Sequence, residues 1–411
     1  MKLLLISMNY SPELTGIGKY SGEMAVGLAQ RGHDVRVICA PPYYPAWHVS
    51  AGHSSWRYRS QAEQPGVTVF RCPLWVPSQP SAARRLLHQA SFALSSLPVM
   101  LWLALSWRPQ LVLVVAPATA CAPAAGLAAR LCGAKSWLHI QDLELDAAFQ
   151  LGFLSGQRLR RWALRAESRL LRAFDRVSTV SGRMLEKVQQ KEVDPNRSSV
   201  LANWVDLSVV DPQADAAAAV QLRATLGILP TQKVLLFSGT MNRKQGLHVL
   251  VEVARLLQAR QDLVLVLCGG GEVRPSLEAA AAGLNNVRFL DLRPAAELGA
   301  LLVMADVHLL PQLRDAADLV MPSKLGGMLA SGRPVIAGAD AGSEIARFIQ
   351  DCGICVEPES APAFVQAVLA LCDRDSHRLQ LGQAARQRAQ TSLGFGSVMD
   401  KLDRDLRALT Q

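Results

Sequence analysis

The chain has 411 residues, half of them hydrophobic, and a formal net charge of +9. That length supports two or three domains with large cores, and the composition excludes a disordered or collagen-like chain. The basic excess points to phosphorylated ligands, an anionic membrane or nucleic acid, without choosing among them.

Lys2–Ser7 reads as a strand, and Met1–Ser7 is too short and too soon polar for a signal peptide. The following run, Asn9–Gly22, carries Gly16 and Gly18 and opens a helix to Arg31. The next strand is Asp34–Ala40. This β–loop–α–β unit is close to a dinucleotide fingerprint but misses it. Gly22 comes one position late, and no acid for a ribose ends the second strand, so a nicotinamide cofactor is disfavoured. The glycines either admit a ligand to the backbone or serve a tight turn. Pro41–Pro80 reads as a long irregular loop, rich in Tyr, Trp and His, that shapes a substrate site.

Ala82–Trp107 has a helical pattern and is very apolar. Its Phe92–Trp107 part is short for a membrane span and reads as a buried or interfacial helix. Leu111–Ala116 is a strand, Ala118–Leu131 a helix and Ser136–Ile140 a strand. His139 and Asp142 stand at the tip of that last strand, where parallel sheets bind ligands; the imidazole serves a hydroxyl there, or is a satisfied structural group.

Gln157–Arg176 reads as an amphipathic helix. Arg158, Arg161, Arg165, Arg169, Arg172 and Arg176 form one face; Leu159, Trp162, Ala163, Ala166, Leu170 and Phe174 form the other. The arginine stripe suits anionic lipid or a solvated surface. No recognised nucleic-acid motif accompanies it, so nucleic acid is not expected as a partner. Strand Val177–Val180 and a Ser181-capped helix, Gly182–Gln190, follow, and Asp206–Ala219 reads as a linker.

The second half restarts the α/β rhythm with strands Lys233–Ser238, Leu263–Cys268, Val287–Leu290, Val307–Leu310, Pro334–Ala337 and Ile354–Val356, then two helices to the end. Arg243 and Lys244 stand in a glycine-flanked loop between strand and helix, a place that suits a diphosphate. The order of a P-loop is missing, so ATP hydrolysis is not indicated. Gly269–Gly271 brings backbone close to a base or ribose, or is a plain turn. Pro322 suits the first position of a short helix stopped by Gly332 and Pro334, with Lys324 in its first turn. A lysine in a first helical turn is electrostatically misplaced unless an anion docks there, held with Ser323. Cys352 and Cys355 have C-x-x-C spacing but no second pair or His cluster, so no metal site is expected. The eight cysteines read as free thiols of a reducing cytoplasm.

Taken in order, several motifs resemble one family: Asn9-Tyr-x-Pro-Glu…Thr-Gly-Ile-Gly-Lys-Tyr, His139-x-x-Asp142, Asn203-x-x-Asp206, Lys244-x-Gly246, Pro322-Ser323-Lys324 and Ala330-x-Gly332-x-Pro334. The chain resembles the family-4 retaining glycosyltransferases of the GT-B fold, in their exopolysaccharide branch of the WcaI/WbuB type. The resemblance implies an α/β chain of two Rossmann-like, doubly wound domains facing across a cleft. Residues 1–205 would take the acceptor and 206–390 the nucleotide-sugar; the helix in 391–411 would cross back to the first domain. By the match, Gly16 and Gly18 approach the donor, His139 lies near the transferred sugar, and Lys244 with Arg243 binds the diphosphate. Ser323 and Lys324 hold diphosphate or sugar, Glu344 lies near the donor pocket, and Gly271, Leu290 and Asp291 line the nucleoside.

Two departures stand out. Thr240 replaces an arginine common in relatives, and the paired E-x7-E glutamates fall on Leu319 and Gly327, with Asp318 as a speculative substitute. The expected reaction moves a hexose or deoxyhexose, fucose among them, from a GDP- or UDP-linked donor to a polyprenyl-diphosphate-linked saccharide in exopolysaccharide (colanic-acid-like) synthesis. Configuration is retained, and neither metal nor cofactor takes part. The chain is then cytoplasmic and peripheral on the inner face of the cytoplasmic membrane. Competing readings are a nucleotide-sugar epimerase and a non-catalytic nucleotide-sugar- or lipid-binding partner of a polysaccharide assembly complex.

Overall fold

A computed structural model describes residues 1–13, 16–78, 81–142, 157–314, 322 and 324–411; of residues 82, 83, 157–160 and 244 only the backbone is described. The chain forms two units, Met1–Ala202 with Met399–Gln411, and Asn203–Val398.

The first unit holds strands β1 (Lys2–Ser7), β2 (Asp34–Cys39), β3 (Arg59–Gln64), β4 (Val67–Arg71), β5 (Leu111–Ala116), β6 (Lys135–Ile140), β7 (Arg176–Thr179) and β8 (Ser198–Val200). They pair in the order β3-β4-β2-β1-β5-β6-β7-β8, parallel except for β3 against β4. The central strand Leu-Val-Leu-Val-Val-Ala is buried at every position, as a strand covered on both faces must be. Its helices are α1 (Gly16–Gln30), α2 (Ala82–Ser106), α3 (Ala122–Cys132), α4 (Gln157–Arg172) and α5 (Gly182–Gln190). Residues of α2, α3 and α5 pack into one core on one face of the sheet, joined there by Leu171 of α4.

The irregular loop expected over Pro41–Pro80 is corrected by the β3–β4 hairpin inside it. Arg59–Gln64 carries almost no apolar pattern; it is an edge strand held by backbone pairing with Val67–Arg71, which local residue pattern does not announce. Arg176 belongs to β7 and not to the preceding helix, which ends at Arg172. Trp162, expected on the apolar face of α4, is 68% exposed and shares the outer side with Arg161, Arg165 and Arg169. Inward packing falls instead to Leu171 and, partly, Leu170.

The second unit holds β9 (Lys233–Ser238), β10 (Leu263–Cys268), β11 (Val287–Leu290), β12 (Val307–Leu310), β13 (Val335–Gly338) and β14 (Gly353–Val356), ordered β11-β10-β9-β12-β13-β14 and all parallel. Helices α6 (Ala216–Thr225), α7 (His248–Leu256), α8 (Arg274–Ala280), α9 (Leu298–Val303), α10 (Lys324–Ala330), α11 (Glu344–Ile349), α12 (Ala361–Cys372) and α13 (Asp375–Arg388) surround it. The stretch read as a linker up to Ala219 already contains the start of α6. Three helices, not two, close the chain, the third being α14 (Phe395–Thr410). Its later turns belong to the first unit, where Asp400 pairs with Arg31 at 2.6 Å and Asp403 with the buried His33 at 2.6 Å. All eight cysteines are free.

Candidate functional site

In the second sheet the chain winds outward in opposite directions from the β9/β12 pair. The loops at the carboxyl ends of these two strands flank the crevice where doubly wound sheets bind ligands. The loop after β9 makes a tight 3-10 turn, Arg243–Gln245, closed by Gly246 at φ 60°. A Cβ on Gly246 would stand 3.2 Å from Leu313, so the β9 loop rests directly on the β12 loop.

Lys324, the first residue of α10, reaches this crevice. Its ammonium lies 4.3 Å from the centre of the Phe237 ring in β9 and donates to Gln245 Oε1. It also lies 3.4 Å from where a Cβ on Gly239 would be. Among the described residues no carboxylate pairs with it. Burial pushes its pKa down from 10.5 to about 7. A ring face and a neutral amide only partly replace water around a cation, so the group is poised to gain from an arriving anion. Nearby, Asn242 Oδ1 and Gln312 Oε1 are buried acceptors with no donor among the described residues, open to a hydroxyl or a water.

Three glycines let the neighbouring loops cross. Gly239, Gly269 and Gly271 have φ of 138°, 141° and 148°. A Cβ on Gly269 would stand 2.0 Å from Gly239 O, and one on Gly271 would stand 2.3 Å from Met241 O. Backbone bonds Gly239 N–H to Cys268 O (3.0 Å) and Met241 N–H to Gly270 O (2.8 Å) fix the crossing. Loop packing therefore accounts for Gly271, which the sequence placed at the nucleoside. Of its companions, Leu290 is buried at the end of β11, and Asp291 faces outward in an ion pair with Arg274 at 2.6 Å. Arg274, which no motif singled out, also donates to Gly269 O at 2.7 Å and so ties three loop ends together.

Of the other expected donor groups, only Arg243 and Glu344 have described side chains. Arg243 shares the loop with Gln245, but its side chain is 85% exposed and lies 3.9 Å from Glu272. The side chain of Lys244, and all of Ser323, Asp318 and Leu319, lie outside the described residues. Glu344 opens α11, whose N-cap Ser343 accepts from Ala346 N–H at 3.2 Å. At Gly327, where relatives place their second glutamate, a Cβ would stand 3.1 Å from Leu302, so a longer side chain requires Leu302 to move.

In the first unit the chain reverses its winding between β1 and β5. Gly16, at φ 61°, has open space where a Cβ would be. Gly18 does not: a Cβ there would stand 2.6 Å from the Glu13 side chain, and one on Gly22 2.9 Å from Ser11. Gly18 is thus accounted for by Glu13 without any ligand. The Glu13 carboxylate is buried and accepts from Tyr43 N–H (3.0 Å), Tyr44 N–H (3.0 Å) and Asn9 Nδ2 (2.9 Å). Burial raises its pKa against those bonds. The nearly buried Arg71 joins the same two loops by donating to Ser11 O (2.7 Å) and Ala40 O (3.2 Å).

His139 is 1% exposed. Its Nδ1 meets Ser178 Oγ at 2.9 Å, and its Nε2 meets the Gln141 amide at 3.0 Å. Burial lowers its pKa to about 4, so the ring is neutral at pH 7. Both nitrogens thus have partners among the described residues. Among the described residues no cluster of His, Cys, Asp or Glu is disposed to hold a metal.

Comparison with known proteins follows this division. Residues 15–204 match the model of the glycosyl transferase 4-like domain, and residues 232–374 that of the glycosyl transferases group 1. The chain is 40% identical over 415 residues to the putative colanic acid biosynthesis glycosyl transferase WcaI of Escherichia coli K12, covering 99% of this chain and 100% of that one. Its fold is similar to that of sucrose-phosphate synthase from Thermosynechococcus elongatus (TM-score 0.71, 16% identity, 99% and 98% covered). It is also similar to Anabaena HepE in complex with UDP and glucose (TM-score 0.65, 15% identity, 99% and 100% covered).

Proposed function

The chain belongs to the glycosyltransferases with a 4-like N-terminal domain, a group 1 C-terminal domain and the GT-B fold, and from that premise we propose that it transfers a hexose or deoxyhexose from a nucleotide-diphosphate sugar. The acceptor is a lipid-linked saccharide in exopolysaccharide synthesis of the colanic-acid kind, the anomeric configuration is retained, and the enzyme works at the cytoplasmic face of the membrane. The observation that carries this reading is the buried ammonium of Lys324 in the β9/β12 crevice, paired with no carboxylate among the described residues.

In this mechanism the leaving group is a nucleoside diphosphate, and the charge growing on it is what must be stabilised. A preformed cation in a partly dehydrated crevice does so without reorganisation. Gln245 and Phe237 hold Lys324 beside the Gly239 backbone until the diphosphate replaces them as partner. The departing phosphate oxygen takes the acceptor hydroxyl proton, so no separate base is required. The buried, neutral His139 acts through the shape of its strand tip, not by proton transfer.

The test is product formation from a panel of GDP-, UDP-, ADP- and dTDP-sugars with a lipid-linked acceptor in EDTA. The expected result is transfer from one donor class without metal and with the anomer unchanged. An inverted anomer, a donor altered without any acceptor, or activity lost in EDTA and restored by Mg²⁺ would each contradict a part of the reading.

A pH dependence follows from Lys324. Diphosphate binding requires the charged ammonium, so affinity should fall as pH rises above about 7, by up to about tenfold per unit. The stability effect has the opposite sign. The unfolded chain binds this proton more readily, so the group's contribution to stability rises with pH between about 7 and the ordinary lysine range. Calorimetric titration with GDP and UDP at several pH values checks this, with Lys324→Met expected to flatten the dependence.

A further inference from the structure

We propose that the outer surface of the helical layer α2–α3–α4 is the face by which the first unit lies on an anionic phospholipid bilayer, with α2 in the plane of the interface. The proposal rests on the functional reading only for why the chain should meet a membrane at all. Its evidence is independent of the nucleotide crevice.

α2 is 25 residues long, roughly 37 Å at helical rise, and carries no charged residue after Arg85. Leu87, Leu94, Trp102 and Leu105 are 62%, 72%, 54% and 63% exposed. Their spacings of seven, eight and three place them on one side of the helix. A run of large apolar side chains on one helix, facing water, is a surface that needs a partner. The loop beside it adds aromatic residues of the interfacial type. Tyr58 hydroxyl donates to Ser95 O of α2 at 2.9 Å, and two residues before it Trp56 is 78% exposed.

Length and composition would also allow α2 to span a bilayer. Its other face forbids that. Phe92, Met100 and Leu103 are fully buried in the core shared with α3 and the sheet, and Phe70 meets the Trp102 ring at 5.9 Å. Extracting α2 would open the core, so the helix lies flat with its exposed stripe toward the lipid.

Charge selects the kind of surface. Residues 41–107 contain five arginines and one acid, Glu63, and Glu63 is bound to Arg71 at 2.9 Å. Arg57, Arg59, Arg84 and Arg85 lie around the apolar stripe and are exposed. α3 packs beside α2 and adds exposed Leu127 and Leu131. On the same side of the sheet α4 turns Arg161, Trp162, Arg165 and Arg169 outward. The layer thus presents an apolar ridge next to a basic one, complementary to acyl chains below anionic headgroups.

The test is flotation of the full chain with vesicles of phosphatidylethanolamine and phosphatidylglycerol, or of phosphatidylcholine alone. Wild type should float with the first and poorly with the second. Leu94→Glu/Leu105→Glu, at exposed positions, should lower the partition coefficient by at least about tenfold at any salt. Arg165→Gln/Arg169→Gln should bind less, and with weaker salt dependence. Trp102→Leu should keep binding while losing part of the fluorescence quenching by brominated lipid, which reads the ring's depth directly. A wild type that does not float, or a double-glutamate variant that floats like wild type, overturns the proposal. So does a stable dimer that vesicles leave intact and that Leu94→Glu/Leu105→Glu dissociates. Each variant is also checked for its thermal shift with GDP and UDP. A wild type that shows the shift but does not float contradicts this proposal alone, a glutamate variant that keeps the shift but no longer floats supports it, and a wild type that floats but shows no shift contradicts the sugar-transfer reading alone.

Discussion

Lys324→Met should lower kcat/KM for the donor by about a hundred- to a thousandfold, the scale seen when one preorganised charge-stabilising group is removed. Methionine keeps the length and the packing against Phe237 but removes the charge. The fold should survive, because burial disfavours the charged ammonium and no carboxylate among the described residues offsets that cost. The variant is therefore expected to be at least as stable as wild type at neutral pH while nearly inactive. Activity and stability moving in opposite directions is the signature of a group kept for its ligand. If Lys324→Met were fully active, the diphosphate would have to be held elsewhere. If it were unstable, Lys324 would be a structural residue.

The second large effect concerns the loop crossing. Gly271→Ala should destabilise the second unit by more than ~4 kcal/mol, in the range reserved for steric and backbone failure together. The added carbon would stand 2.3 Å from Met241 O, at a φ of 148° that side chains avoid. Gly269→Ala should do the same against Gly239 O at 2.0 Å. A matched control is Gly283→Ala, where φ is 83° and no atom lies within 4 Å; it should cost only the backbone strain, about 1–2 kcal/mol. Urea unfolding of the three variants separates clash from strain. Equal losses at Gly271 and Gly283 would mean that the loops do not cross as described.

Much of the architecture was legible before any coordinates. Fully apolar runs such as Leu263–Cys268 can hardly be anything but buried parallel strands, and both halves show them at regular intervals between helices. The β3–β4 hairpin was not legible, because Arg-Ser-Gln-Ala-Glu-Gln carries no apolar alternation and is a strand only through its partner. Trp162 was misplaced because its helix has little apolar surface to choose a face by, and packing through Leu171 decided it.

The candidate site was legible where a residue violated a local rule. Lys324 at a helix start was such a violation, and it is the residue whose surroundings are most telling. The partners that define it were not legible. Phe237 and Gln245 lie 87 and 79 positions away, and only the sheet order brings them together. The role of Glu13 is not legible in its motif, since its partners Tyr43 and Tyr44 offer only backbone N–H groups that no side-chain pattern records. His139 is legible by its place but not by its partners. A histidine at a strand tip suggests chemistry, yet Ser178 and Gln141 occupy both of its nitrogens.

The most direct measurement is a crystal structure of the chain with GDP or UDP bound. The account predicts a diphosphate in the β9/β12 crevice with a phosphate oxygen about 2.7–2.9 Å from Lys324 Nζ, the ammonium having turned away from Gln245. A diphosphate bound at another place, with Lys324 still resting on Gln245 and the Phe237 ring, would contradict it.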